Sequence, residues 1–363
     1  MSKHYFHTLD EYTENIKSGN YSPFIPFSPK LSEWTLLITA LGFIFMIILR
    51  YFVAGIHTKL IPKDNILYRY SKSSLLDRLN KKFDISKKGC VYKWKENFWF
   101  ALWHTFSFIY NFVLLVSMSG YLNNTNGWVK MCFKEHTGKC LFLVTEDEYN
   151  DNKKGWPYMY LDNNVHYFYI TQVSFWLSCL FYLKYEIKRK DYYVFIIHHL
   201  ATLGLLLYSQ FYNLWRAGLL VLFLHDIVDV FLYISKTMNY SKSKYQKPLT
   251  LFYSFFVLSF FFFRIILFLF YLVIPLSDIN MIKSYTDGFI NSHNDAPMGY
   301  VPVGFLWMLM MMHFYWFFLI LKMTRIYIEK AYKSSKSDIV DIRSDNEDEE
   351  EEEEELEVKE IPS

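Results

Sequence analysis

The stretch Leu214–Ile234, LWRAGLLVLFLHDIVDVFLYI, decides how the chain is read. A run of this length and apolar density rises about 30 Å as a helix, the thickness of a bilayer's hydrocarbon. Yet it carries His225, Asp226 and Asp229. Ionisable side chains are expensive in hydrocarbon and by default call for a function with a named partner. His225 and Asp229 are four apart and Asp226 and Asp229 three apart, so they occupy neighbouring parts of one helix face.

Similar apolar runs lie on either side, at Leu36–Val53, Phe98–Met118, Val165–Leu183, Tyr192–Phe211, Leu249–Leu276 and Pro302–Leu321. The expected fold is all-α: a polytopic membrane protein of about seven transmembrane helices. Composition agrees, with 52% hydrophobic and 21% aromatic residues against 20% charged. The first run begins well inside the chain and reads as a signal anchor rather than a cleaved leader. Arg50, Arg216 and Lys236 mark span ends where cationic side chains are expected to snorkel.

The net charge of +2 conceals a split: residues 338–363 hold fourteen acids and two bases, leaving the rest 36 bases against 22 acids, or +14. The tail cannot bury enough apolar area to fold and is expected to be disordered, with Ser344 as a candidate for an acid-directed kinase because Glu347 follows at the third position. Basic residues sit in short segments between apolar runs, which disfavours a nucleic-acid partner. Four scattered cysteines make neither a disulfide scaffold nor a paired-spacing zinc site.

Loop charge predicts orientation, since cytosolic loops carry the Lys/Arg excess. Gly55–Asn97 holds eleven bases against four acids, KYEIKRKD at Lys184–Asp191 four against two, and Lys236–Lys247 four against none. The alternate segments are neutral or acidic, which puts the N-terminus in the lumen and the C-terminus in the cytosol. The resulting organisation is a luminal arm (1–33), a first anchor (34–54), a basic cytosolic loop (55–93), a main membrane domain (94–330) and an acidic tail (331–363). Asn123-Asn124-Thr125 is then a luminal glycosylation sequon, and Cys132 and Cys140, in the same luminal loop, are candidates for a disulfide.

The neighbouring spans supply further polar residues: His198 and His199 in the fourth, Arg264 in the sixth, His313 in the seventh. Counted from the cytosolic ends, His198 and His199 lie about 10 Å deep, Asp226 about 13 Å, Asp229 about 9 Å and His313 about 12 Å, at a helical rise of about 1.5 Å per residue. Arg264, at roughly 22 Å by the same rise, falls nearer the lumen and joins the group less easily. His313, alone on its span, reads first as an interhelical hydrogen-bonding residue. Imidazole with carboxylate at one depth suits general base catalysis, nucleophilic attack on an activated acyl group, a two-His-one-carboxylate metal site or a proton relay.

Five elements in order, Arg189-Lys-Asp191, His198-His199, Asn213-Leu-Trp-Arg216-Ala-Gly218, Leu224-His225-Asp226-Ile-Val-Asp229 and Lys236-Thr-Met-Asn239-Tyr240, resemble the signature of ceramide synthases, the sphingoid-base N-acyltransferases of the TLC-domain superfamily. Weaker resemblance extends from Trp94 to Tyr327 through Gly155-Trp156-Pro157, Tyr169-Ile-Thr-Gln172, Phe175-Trp176, Arg264, His313 and Trp316. The resemblance implies an endoplasmic-reticulum enzyme that transfers a fatty acyl group from acyl-CoA to a long-chain base, giving ceramide or dihydroceramide. It implies His198, His199, Asp226 and Asp229 as catalytic, with His225, Arg216, Asn213, Arg264, His313 and Trp316 supporting. No metal or other cofactor is then needed, acyl-CoA being the co-substrate, and a homodimer or an accessory membrane subunit is compatible.

The first cytosolic loop is too short for the homeobox-like insert of many animal members. Ser277–Tyr300, which in the family bears on acyl-chain choice, is long and dissimilar. The alternatives are a non-catalytic TLC-domain protein that binds or transports lipid and, disfavoured by the absence of a detectable repeat, a proton-coupled transporter.

Overall fold

The computed structural model describes residues 33–55, 74–119, 127–134, 137–143, 161–186, 191–278 and 296–333, with positions 145, 156, 159 and 280. The N-terminal arm, Asn123, most of the Ser277–Tyr300 loop and the tail with Ser344 lie outside these residues.

The described elements are helical: α1 (Glu33–Ala54), α2 (Leu75–Phe83), α3 (Val91–Ser117), α4 (Trp128–Lys134), α5 (Thr137–Phe142), α6 (Asn163–Tyr182), α7 (Tyr192–Phe211), α8 (Trp215–Asn239), α9 (Leu249–Ser277) and α10 (Ala296–Lys333). Six of them, α1, α3, α7, α8, α9 and α10, are long and apolar enough to cross a membrane, which makes the protein a multi-pass membrane protein. The seventh expected span is α6, which has the length but carries Asn163, Asn164, His166 and Gln172. It accommodates them because α1, α3 and α7 pack around it, leaving His166, Gln172, Ser174 and Ser178 buried.

Pairwise packing closes six helices into a ring in the order α3, α6, α7, α10, α9, α8. The α3–α8 contact is the most extensive. Helix α1 lies outside the ring against α6, with Leu36, Leu41, Phe45 and Phe52 turned outward to lipid. Gly218 is required where α8 meets α6, because a Cβ there would overlap the Tyr169 hydroxyl. That hydroxyl donates to the Trp215 carbonyl at 3.2 Å.

Two span-end arginines depart from the expected snorkelling. Arg50 and Arg216 are 2% and 3% exposed, and each has found partners inside the protein. Arg50 pairs with Glu186 at 2.5 Å and lies over the rings of Tyr182 and Phe100. Arg216 donates to the Cys140 and Leu143 carbonyls at 3.0 and 2.8 Å, with its guanidinium over Trp128 and Trp215. A buried cation that meets a carboxylate, carbonyls or aromatic faces inside the protein offsets much of the penalty that drives snorkelling.

The basic loop after α1 also contains structure. Helix α2 starts at Ser74, whose hydroxyl accepts from the Asp77 N–H, and stops at Asp84 in the left-handed conformation at φ 48°. The segment after α2 bridges to the α8–α9 turn through Lys242 N to Ile85 O (2.7 Å) and Lys87 N to Tyr240 O (2.9 Å). Within α9, residues Phe260–Val273 wind as a π-helix, and the Ile274 N–H still reaches back five residues to Leu269 O. Wide turns of this kind cluster at functional sites.

Candidate active site

The ring encloses a cavity of two chambers, each of about 100 Å³. The first runs toward the basic α8–α9 turn and is lined by His104 of α3, His199 of α7, Lys236 and Asn239 of α8, Arg264 of α9 and Met323 of α10, among others. The second runs toward the disulfide end between α7, α8 and α10, past Leu205, Ala217, Val221, Val303 and Leu306, and ends at Phe142 and Trp156. Three residues line both: Trp176, His198 and Asp229.

Adjacent residues on a helix point about 100° apart, so His198 and His199 cannot share an orientation. His198 turns into the cavity. Its ring stands edge-on to Trp316, centroids 5.1 Å apart, and its buried Nδ1 has no hydrogen-bond partner among the described residues. His199 is buried, donates from Nδ1 to the Phe195 carbonyl at 2.7 Å and packs between Phe195 and Trp176. The first ring is poised toward a ligand, and the second is held by its own helix.

The carboxylates are engaged elsewhere. Asp226 Oδ1 is 2.8 Å from His104 Nδ1, and Asp226 Oδ2 accepts from Ser107 Oγ at 2.5 Å. Gln172 of α6 in turn donates to Ser107 Oγ at 2.5 Å. Asp229 Oδ2 pairs with Arg264 Nη2 at 2.7 Å, with His104 Nδ1 3.9 Å away. Arg264 also donates to the His225 carbonyl at 3.1 Å. His225 Nδ1 donates to Val221 O at 2.6 Å, which leaves its Nε2 to accept from His313 Nε2 at 3.1 Å. Buried charge is tolerable when it is paired, and here Asp226 and Asp229 are each paired within a network that spans α3, α6, α8, α9 and α10, while Arg264 Nε and His313 Nδ1 have no hydrogen-bond partner among the described residues.

Several expectations change. Asp226 and Asp229 make no ion pair with His198 or His199, because His104 and Arg264 occupy them first. Arg264 joins the group despite its count along the chain: a depth reckoned at the α-helical rise ignores both the reach of an arginine and the π-helical winding on which it sits. His313 makes the interhelical bond expected of it. Arg216 and Asn213 are not brought to the cavity junction. They hold the disulfide end, Asn213 donating to Met159 O at 2.6 Å from a left-handed backbone at φ 58° that Asn tolerates. Cys132 and Cys140 are joined as a disulfide in that same cap.

His104 and Ser107 are absent from the sequence-based site. The signal for His104 was present: it is an ionisable side chain in an apolar span, the very rule that singled out His225. Ser107 carries no such signal, because Ser is common in membrane helices and bonds equally well to its own backbone.

Fold and site together define a helical membrane protein whose ring of spans encloses a buried His–Asp–Arg network. The chain belongs to the TLC-domain family, whose model matches residues 93–322. It is similar to human ceramide synthase 3, 36% identical over 193 residues, which are 52% of this chain and 46% of that protein. It is similar to mouse ceramide synthase 4 at 32% over 193 residues, 53% and 44% of the two chains. Ceramide synthase LOH2 of Arabidopsis thaliana is 32% identical over 170 residues, 47% of this chain and 55% of that one. The chain thus spans about half the length of the curated relatives it matches.

Proposed function

We propose that the protein is an acyl-CoA-dependent N-acyltransferase that joins a fatty acyl group to the amine of a long-chain sphingoid base. The observation that carries this reading is the position of His198: it is the one imidazole that lines both chambers, and its buried Nδ1 has no partner among the described residues. A thioester with a polar head and an apolar chain suits a cavity that offers Lys236, Asn239 and Arg264 on one side of that ring and a largely apolar wall on the other. The named ceramide synthases among its relatives favour the same chemistry over a non-catalytic lipid carrier.

Among the described residues no carboxylate is paired with His198, since His104 and Arg264 hold Asp226 and Asp229, and we assign its ring to direct attack. The ring nitrogen bonds to the acyl carbon and the C–S bond breaks, CoA leaving as the thiol with the proton shed by the imidazole. The amine then attacks the acyl-imidazole carbon, the amide C–N bond forms as the bond from that carbon to the ring nitrogen breaks, and the proton lost by the amine restores the neutral His198. Arg264, bound to Asp229 and lining the same chamber as His198, is the cation we assign to the developing oxyanion. Lys236 and the basic segments at that end would meet the CoA phosphates. On this reading the basic end faces the cytosol, the disulfide end the lumen of the endoplasmic reticulum, and the N-terminus is luminal.

The test is expression in membranes lacking endogenous activity, with sphinganine and mixed acyl-CoA lengths, reading N-acyl products by mass spectrometry. Product from the wild type, and none from His198→Ala at equal protein level, is expected. Equal product from a His198→Ala, His199→Ala double variant sinks the assignment.

A further inference from the structure

The second chamber ends at a built floor that the reaction itself does not use. Trp156 and Phe142 meet edge-to-face, centroids 5.9 Å apart, and both line the chamber. Trp156 is fastened twice, its N–H donating to Phe142 O at 2.8 Å and its indole Nε1 to Tyr212 O at 2.8 Å. Phe142 lies between the two carbonyls that Arg216 grips, those of Cys140 and Leu143. The Cys132–Cys140 disulfide closes the same segment. Such a floor is fixed by a covalent tie and by hydrogen bonds, two of them from a guanidinium, rather than by packing alone, so it resists a chain pressing on it.

We infer that this Trp156–Phe142 floor, clamped by Arg216, is a specificity-determining element that sets the maximum length of the apolar chain the protein accepts. The inference rests on the acyltransferase reading for its substrate class, and it assigns chain selection to a segment other than the Ser277–Tyr300 loop. From His198 to Tyr212 the chamber follows α7 for fourteen residues, about 21 Å at the helical rise. Displacing the floor lets longer chains enter, and adding bulk above it excludes all but shorter ones. Ala217, which lines the chamber near the floor and is half-buried, is the place to add bulk.

The experiment uses the full chain in membranes with sphinganine and an equimolar series of saturated acyl-CoAs, reading the product length distribution. Trp156→Ala is expected to move the distribution at least two carbons longer, and Ala217→Phe at least two carbons shorter, relative to wild type. An unchanged distribution in both, with product still formed, overturns the inference. A second measurement stands apart from turnover: thermal stabilisation of the purified full chain by acyl-CoAs of increasing length. Stabilisation that plateaus at a chain length which Trp156→Ala extends supports the floor, even if the wild type forms no product and the acyltransferase reading falls. Stabilisation that ignores chain length in both proteins overturns it.

Discussion

The two chambers of the cavity differ in what their apolar walls carry. Toward the α8–α9 turn the side chains of Lys236, Asn239 and Arg264 stand among aromatic and aliphatic ones. Toward the disulfide the lining is largely aliphatic and aromatic, closed by side chains that loops rather than spans provide. The polar network needs fixed, mutually satisfied partners because an unpaired charge in hydrocarbon is costly. The apolar chamber needs only shape, and its shape is fixed at one end by a stapled cap. On the proposed reaction, a thioester at their junction would have its head group in one chamber and its chain in the other.

The largest expected effect breaks the junction itself. Replacing His198 with Ala should lower N-acyl product by about 10²- to 10⁴-fold, the range for loss of a positioned imidazole, whereas Phe195 can pack against a smaller residue at 199 with a lesser loss. A single-turnover assay with acyl-CoA and no amine sharpens the comparison. Intact-protein mass spectrometry should find the acyl adduct on wild type and none on His198→Ala.

Next comes the polar chamber. Asp229→Ala should strip Arg264 of its carboxylate and cost about 3–5 kcal/mol of stability, as for other broken buried pairs, seen as a fall in Tm of the purified protein. The double change Asp229→Leu, Arg264→Met should recover much of that stability without recovering product. Recovery of both would make the pair structural only.

The apolar chamber should respond more mildly. Cys132→Ser with Cys140→Ser removes a short-loop crosslink worth about 2–3 kcal/mol in the chain-entropy account. The expected outcome is a lower Tm and a broadened product length range at nearly unchanged total product. The smallest effect is at the surface: Lys81→Ala, which removes the exposed pair with Asp77 on α2, should change stability by less than about 0.5 kcal/mol.

Much of the site was legible in the residues because hydrocarbon makes polar side chains conspicuous. His198, His199, Asp226, Asp229 and His313 announced themselves by type and by depth. The partnerships were not legible. Asp226 is bound by His104, 122 positions away along the chain, and nothing local to either residue names the other. Arg264 was set apart by a depth count that assumed one helical pitch throughout. Asn213 and Arg216 resembled site residues in sequence, and they hold the floor of the second chamber instead.

By itself the sequence determined that the chain is a bundle of membrane-spanning helices, which residues it pays to bury, and roughly how deep each lies. Those follow from hydropathy and a fixed rise per residue, both of which act along one dimension. Only the tertiary structure decided which imidazole faces the cavity, which cation meets which carboxylate, and where the apolar chamber stops. These depend on the rotation of each helix about its axis and on the order of helices around the ring. Both are set by packing between segments far apart in the chain, as where Gly218 admits Tyr169.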